Sequence, residues 1–346
     1  MGQIVELIRR FGLLRLWRVK RRHDKALPFI RGYCATVSVW ALLNTGVMDE
    51  MARGPAVSAA ELAAKFGLDK RVLDTILEYL DCIRVLTRNA DGRYSLDELG
   101  RTILEEPRGM FDLACGYEPV LGELTGLLRG RKKFGRDVTR RGEFVAKGSG
   151  ELGRQLPFPV LADMVKRAGF RGVLDLGCGD LEFLFTLSAA DSALRCYGID
   201  VSVDAVEHAR RRLADSPFRG RVTVEHGDMF EADAFLERWK DVDVMTACDT
   251  FHEHLFGGTE RIEKLLARYH ERFPGVALLV AEFCGQDHAR LRKSPTAFVE
   301  HRLWHDLTDQ VILSAREWRG IFRRAGYRIT DERVFDVVGH GYFLLR

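Results

Sequence analysis

The hydrophobic pattern changes its period along the chain and predicts two structural parts. Apolar residues recur at helical spacing from Tyr33 to Met51, and further helical stretches follow up to about residue 150. Beyond that point short apolar runs alternate with helical patterns, which is typical of a parallel α/β sheet. Because 346 residues exceed the comfortable size of one core, we predict a helical domain at 1–150 and an α/β domain at 151–346.

The helical domain contains a pattern typical of a winged helix. Ser58 and Glu61 form a capping box at the start of a short helix that Gly67 ends. A second helix is predicted at about 70–80, and a two-stranded hairpin turns at 91–92. Helix, turn, helix and hairpin also occur in DNA-binding regulators, which makes such a regulator an alternative function.

The charge distribution disfavours nucleic acid as a partner. The chain has 53 Lys and Arg against 50 Asp and Glu, a net charge of +3, which requires no polyanion. The second helix of the winged-helix pattern carries Asp74 and Glu78 beside only Lys70 and Arg71, a poor surface for phosphates.

Basic and apolar residues mix in the first 25 residues, which predicts a basic amphipathic helix. Such a helix packs on a neighbouring subunit or binds a membrane surface or an acidic partner, and the modest total charge favours the first. Its basic residues are Arg9, Arg10, Arg15, Arg18, Lys20, Arg21, Arg22 and Lys25.

Cysteine usage and hydropathy indicate a cytoplasmic protein. The seven cysteines are scattered and contain no C-x-x-C pair, so neither disulfides nor a zinc finger are expected. We predict no membrane span, because no apolar run approaches about 20 residues, and no signal peptide.

The sharpest motif lies where an apolar strand from Gly172 ends in Asp175-x-Gly177-x-Gly179 and continues into a helix. The two glycines let the backbone approach a ligand at the carboxyl end of the strand. Position 182 is Glu where a dinucleotide fingerprint needs Gly or Ala, so a pyrophosphate is not expected.

Two further strands end in acidic residues. Asp200 ends the strand from Leu194 and is placed to accept both hydroxyls of a ribose. Asp228 follows the strand from Val222 and is placed to hold an adenine amino group, with Met229 against the ring. Each feature alone is weak, but their order along the chain is specific.

With this order of glycine loop and acidic residues, residues 155–346 resemble the class I methyltransferases that depend on S-adenosylmethionine (SAM). The resemblance implies a Rossmann-like, seven-stranded α/β domain with SAM as cofactor. It places Gly177 and Gly179 beneath SAM, Asp200 on its ribose and Asp228 near its adenine. The front domain is similar to the dimerisation domain of small-molecule O-methyltransferases of secondary metabolism, which implies a homodimer and a small-molecule substrate.

A fourth strand, from Val242, leads to His252, Glu253 and His254. In the O-methyltransferases a histidine after this strand is the general base, and His252 is suited to that role because imidazole titrates near neutrality. Glu282, at the end of the next predicted strand, is placed to orient a histidine or to lie near the cofactor.

A second histidine cluster suggests a metal. His301 and His305, with Asp306, lie where the substrate pocket is expected, and two histidines with one carboxylate suit iron or zinc. Here the chain resembles the metal-containing α-keto acid C-methyltransferases, which implies His252, Glu253 and His305 as ligands. His254 or His301 would then be the catalytic base.

Two mechanisms therefore remain open from the sequence. One is metal-assisted C-methylation of an α-keto acid or similar chelating substrate, in which the metal stabilises an enolate. The other is metal-free O-methylation with His252 as the base.

Overall fold

The computed structural model describes residues 2–346, which form two compact units, 2–115 and 116–346. The sequence places the boundary near residue 150 instead. The difference arises because helix Gly142–Gln155 packs against helices Pro157–Ala168 and Glu182–Ala190 of the second unit, so the segment before it belongs with the α/β part. The predicted fold class, a mainly helical front domain and an α/β domain, is confirmed.

The first unit is helical apart from one hairpin. The capping box is present, since the Ser58 side chain accepts from the Glu61 N–H group and Glu61 accepts from the Ser58 N–H group. The hairpin consists of β1 (Leu86–Arg88) and β2 (Tyr94–Leu96). Its helices are Gly2–Phe11, Leu13–Asn44, Val47–Arg53, Ala59–Phe66, Lys70–Cys82, Glu98–Glu105 and Arg108–Gly116.

Helix Leu13–Asn44 is, among residues 2–346, the one segment long and apolar enough to cross a membrane, and little of it is buried. The apolar part of this helix is its second half, since residues 26–44 contain one charged residue, Arg31. The first half is basic, so the helix as a whole does not read as one apolar run in the sequence. Length and composition alone do not show insertion, so the absence of a span stays a prediction.

Strands and helices alternate along most of the second unit. Its strands are β3 (Gly172–Leu176), β4 (Arg195–Asp200), β5 (Val222–His226), β6 (Val244–Cys248), β7 (Ala277–Phe283), β8 (Ile329–Phe335) and β9 (His340–Leu345). Its helices are Glu118–Gly122, Leu124–Leu128, Gly142–Gln155, Pro157–Ala168, Glu182–Ala190, Val203–Ala214, Asp233–Arg238, Glu260–Arg272, His288–Lys293, Phe298–Leu307 and Ala315–Arg324. Two 3₁₀ helices lie at Met229–Glu231 and Phe251–His254.

The seven strands β3–β9 form one sheet in the order β5-β4-β3-β6-β7-β9-β8. The first five are parallel, and β9 pairs antiparallel with both β7 and β8. The order reverses between β3 and β6, so the chain leaves these neighbouring strands towards opposite sides. Such a switch point opens a crevice at the carboxyl ends of the strands. At these ends the glycine loop follows β3, and the histidines predicted after the fourth strand follow β6.

Candidate active site

The loop after β3 has the backbone conformation that its glycines allow. Gly177 and Gly179 have φ of 78° and 52°, in the region that favours glycine. The N–H groups of Gly177 and Cys178 donate to the Ile199 carbonyl at 2.8 and 3.0 Å. A Cβ on Gly177 would lie 3.1 Å from the Thr250 methyl. The two glycines thus allow a tight turn whose backbone stays close to the strand ends.

Asp200, the predicted ribose ligand, ends β4 and is half-buried. One carboxylate oxygen accepts from the Gly179 N–H at 2.9 Å and the other from the Ser202 N–H at 2.8 Å. Each oxygen retains acceptor capacity for a ligand hydroxyl. Asp200 therefore holds the glycine loop in place and can still accept hydrogen bonds from a ligand.

Asp175 lies inside the sheet. Its carboxyl accepts from the Thr246 hydroxyl at 2.7 Å and is buried. Burial, together with the charge of Asp200, raises the pKa of Asp175 to about 7 against the opposing hydrogen bond of Thr246. The structure thus gives this predicted cofactor residue a neighbour on β6 and an interior position.

Asp228 and Met229 follow β5, as predicted. Asp228 is half-buried and accepts from the Phe230 N–H at 2.9 Å, which starts the 3₁₀ helix at Met229–Glu231. Met229 is buried in the core, and its carbonyl accepts from the Tyr269 hydroxyl. These bonds fix the turn at the predicted adenine side.

His252 and Glu282 form a buried pair at the ends of β6 and β7. His252 Nδ1 lies 2.8 Å from Glu282 Oε2, and their side chains are 3% and 0% exposed. Burial alone would lower the pKa of His252, but the Glu282 carboxylate outweighs it, so the pKa is raised. Glu282 thus orients His252, as one of the sequence-based alternatives states.

His305 approaches His252 from helix Phe298–Leu307. Their ring centroids lie 5.0 Å apart. His305 Nδ1 donates to the His301 carbonyl at 2.6 Å. Burial and the neighbouring His252 lower the pKa of His305 to about 3. The His305 ring is therefore neutral near pH 7, and its Nε2 carries a lone pair.

Glu253 points to a different set of partners. Its Oε1 accepts from Arg140 at 2.6 Å and from the Gln310 side chain at 2.8 Å. Its Oε2 makes no hydrogen bond within residues 2–346. The structure thus fixes this carboxylate through one oxygen. It does not bring the predicted ligands His252, Glu253 and His305 together, because within residues 2–346 their ligand atoms do not all lie within 4.8 Å of one another.

The two remaining predicted catalytic histidines lie in different surroundings. His301 stacks on His305, with centroids 5.8 Å apart, and also contacts the Phe283 ring. His254 meets Phe230 edge-on at 5.1 Å, next to the Asp228 turn. Burial lowers the pKa of both histidines, so both are neutral near pH 7.

The sequence missed a second histidine–carboxylate pair. His340, at the start of β9, places Nε2 2.8 Å from Asp249 Oδ1. Asp249, His252 and Glu282 are the group among residues 2–346 whose potential metal-ligand atoms all lie within 4.8 Å of one another. In that group Glu282 already binds His252, and Asp249 already binds His340. Asp249 has φ of 51°, a strained value that only the fold reveals.

Comparison with known proteins agrees with these features. Residues 174–273 match a methyltransferase domain, and residues 27–106 match an O-methyltransferase dimerisation domain. The chain is 27% identical to 2-ketoarginine methyltransferase of Streptomyces arginensis, over 90% of each chain. The chain is a SAM-dependent methyltransferase. It is also 28% identical to demethylspheroidene O-methyltransferase of Cereibacter sphaeroides, over 82% of this chain and 74% of that one.

Solved structures show the same fold for this methyltransferase. Human N-acetylserotonin methyltransferase in complex with SAM superposes with a TM-score of 0.72 at 16% identity, over 94% of this chain and 97% of that one. Mitomycin 7-O-methyltransferase MmcR superposes with a TM-score of 0.68 at 16% identity, over 96% and 99%. The methyltransferase acts on a small molecule with SAM as methyl donor.

Proposed function

We propose that this methyltransferase transfers the SAM methyl group to carbon in an α-keto acid or a similar chelating small molecule, with a divalent or trivalent metal at His252, Glu253 and His305. The observation that carries the proposal is a pattern these three side chains share. Each has one polar atom held by the protein and a second one that makes no hydrogen bond within residues 2–346. The similarity to 2-ketoarginine methyltransferase supports a keto acid substrate.

The hydrogen bonds to the held atoms would fix the orientation of each proposed ligand. His252 Nδ1 faces Glu282, His305 Nδ1 donates to the His301 carbonyl, and Glu253 Oε1 accepts from Arg140. Metal-binding histidines typically donate their other ring N–H to a carboxylate or carbonyl in this way. Within residues 2–346, His252 Nε2, His305 Nε2 and Glu253 Oε2 make no hydrogen bond. Two imidazoles and one carboxylate are a donor set that suits iron or zinc.

The protein groups have separable tasks in this mechanism. A bound cation would accept the keto and carboxylate oxygens of the substrate and acidify the protons on its β-carbon. His301 would remove one of those protons, since it lies beside His305, whereas His254 packs on Phe230, beside the turn of the predicted adenine ligand Asp228. Asp200 and the glycine loop would hold SAM so that its methyl group faces the resulting carbanion. Arg140 would keep Glu253 oriented.

The main alternative is metal-free O-methylation with His252 as general base. The observation that favours it is the buried Glu282 carboxylate, which raises the pKa of His252 and orients its ring. Similarity to demethylspheroidene O-methyltransferase agrees with this chemistry.

We also propose a homodimer, which the matched dimerisation domain supports.

Metal analysis and product analysis together separate the two mechanisms. Plasma mass spectrometry of the untagged protein should find about one iron or zinc per chain. Incubation with methyl-labelled SAM and a panel of α-keto acids should give a carbon-methylated product by NMR. Metal-free protein that methylates phenols or other hydroxylated acceptors would reject the metal proposal and support the alternative.

Glu253→Gln tests the third ligand. The amide keeps an oxygen for the Arg140 contact but removes the negative charge of a direct ligand, so metal affinity should fall by at least the roughly 10- to 100-fold that losing a ligand's hydrogen-bond partner costs. Asp249→Asn is the matched comparison, because Asp249 binds His340. Loss of metal from Asp249→Asn alone would place the third ligand at Asp249 and refute Glu253.

A further inference from the structure

The first 25 residues differ in charge from the rest of the chain. This segment, here called the basic arm, has eight Lys and Arg against two acidic residues, Glu6 and Asp24. Its net charge is therefore +6, whereas the whole chain has +3, so residues 26–346 carry a net charge of −3. The arm is a local cation on an otherwise mildly acidic protein.

The arm also presents an apolar stripe. Helix Gly2–Phe11 buries no residue. Ile4, Leu7, Ile8 and Phe11 follow the spacing i, i+3, i+4 and i+7, which places them on one helix face. Ile4 is 66% exposed and Phe11 is 41% exposed. Arg9 lies on the other side of the same helix, and Arg10 lies beside the stripe.

Aromatic rings and guanidinium groups lie together along the arm. Arg10 and Arg15 lie over the Phe11 ring, at 5.6 and 5.9 Å from its centroid. Arg21 lies over the Trp17 ring at 5.2 Å, and Trp17 is 56% exposed. Rings in the headgroup layer with cationic groups beside them are typical of interfacial helices.

We propose that the basic arm binds the surface of an anionic phospholipid bilayer, with the Ile4–Phe11 stripe in the headgroup layer and the basic residues on lipid phosphates. Charge complementarity favours this occupant over the arm of a second subunit. A two-fold dimer brings the same patch of both subunits together, so arms packed on each other would oppose +6 with +6. The matched dimerisation domain starts at residue 27, after the arm. The binding strength of such a helix rises with its buried apolar area and with its attraction to anionic lipids, and the arm offers both.

Vesicle flotation of the full-length protein tests the proposal. We expect binding to phosphatidylcholine vesicles that contain about one-third phosphatidylglycerol, and about 100-fold weaker binding to pure phosphatidylcholine. Raising the salt from about 0.1 M to about 0.5 M should release the protein, because it screens the charges. Equal binding to both vesicles, or no binding to either, would overturn the proposal.

Two arm variants separate the signals. Replacing Arg9, Arg10, Arg15 and Arg18 by Gln should weaken binding to the anionic vesicles about 100-fold. Leu7→Gln with Phe11→Gln keeps every charge and should weaken it about tenfold or more. The control removes four charges from another, mostly exposed basic run by replacing Arg129, Arg131, Lys132 and Lys133 with Gln, and it should bind as the wild type does.

Light scattering without lipid tests the competing possibility, in which the arm packs on a second copy of the chain. The arm variants should keep the oligomeric mass of the wild type and its affinity for SAM, which shows that they are folded. A four-Gln arm variant that dissociates to monomers, yet still binds vesicles like the wild type, would show that the arm packs on a second copy of the chain. A control variant as defective as the arm variant would show non-specific attraction.

Discussion

Glu282 Oε2 lies 2.8 Å from His252 Nδ1, and the other oxygen of the same carboxylate accepts from the N–H groups of Thr250 at 3.1 Å and Phe251 at 2.6 Å. One buried side chain on β7 therefore holds both the imidazole and the turn that carries it. Neither SAM-dependent mechanism requires Glu282 to touch the substrate. In both, it would set which nitrogen of His252 faces the substrate.

Glu282→Gln should therefore lower kcat about 10- to 100-fold and leave KM for SAM nearly unchanged. The amide places an NH₂ group against donors that need an acceptor, so His252 loses its orientation. Steady-state kinetics check this. Glu332→Gln is a matched control, because Glu332 binds Arg319 away from His252, and it should keep kcat. An unchanged kcat in Glu282→Gln would exclude an orienting role.

His305→Ala should lose the metal and the activity together, because it removes one of the three proposed ligands. The Nδ1 of His305 is held by the His301 carbonyl, which leaves Nε2 for the metal. Elemental analysis and turnover of the same sample measure both. His340→Ala, which removes another buried histidine, should retain the metal. If His305→Ala keeps its metal while only His252→Ala is inactive, His252 acts as a base without metal.

Asp200→Ala should weaken SAM binding about 100-fold or more, since it removes the proposed ribose acceptor and the acceptor of the Gly179 N–H. Isothermal titration with SAM measures this. Asp204→Asn, in the first turn of the next helix, is the control and should bind SAM normally. Wild-type affinity in Asp200→Ala would contradict the ribose assignment.

The sequence predicts those parts of the site that depend on local order along the chain. Gly177, Gly179, Asp200 and Asp228 each lie at or just after a strand end, and parallel strands bring their carboxyl ends to one edge of a sheet. Hydrophobic period and turn residues mark these ends without knowledge of the fold. For the same reason, the sequence offers for Glu282, near the end of a strand, the alternative of orienting a histidine, and the structure shows that this histidine is His252.

Contacts between distant segments could not be predicted in this way. Arg140 and Glu253 are 113 positions apart, and Asp249 and His340 are 91 apart. Neither Arg140 nor His340 stands in a motif, and their partners depend on how a loop and an antiparallel strand pack on the sheet. The Asp175–Thr246 bond likewise requires β3 to pair with β6. Such contacts follow from topology, which periodicity alone does not supply.

The buried carboxyl of Asp175 makes stability depend on pH. Its pKa is about 7 in the folded protein, against an ordinary value of 3.8. Between these values the folded state binds more protons than the unfolded state, so stability falls as the pH rises from about 4 to about 7. Asp175→Asn keeps an oxygen for the Thr246 hydroxyl and removes the titration.

The variant should therefore be more stable than the wild type by roughly 2–4 kcal/mol at pH 8, and the difference should nearly vanish near pH 4. Urea unfolding at both pH values measures it. Asp163→Asn should show the opposite sign, because hydrogen bonds from Arg167 and Arg333 lower the pKa of Asp163, so the lost charge destabilises the protein at pH 8. A stability difference in Asp175→Asn that is the same at both pH values would show that the carboxyl does not titrate in this range.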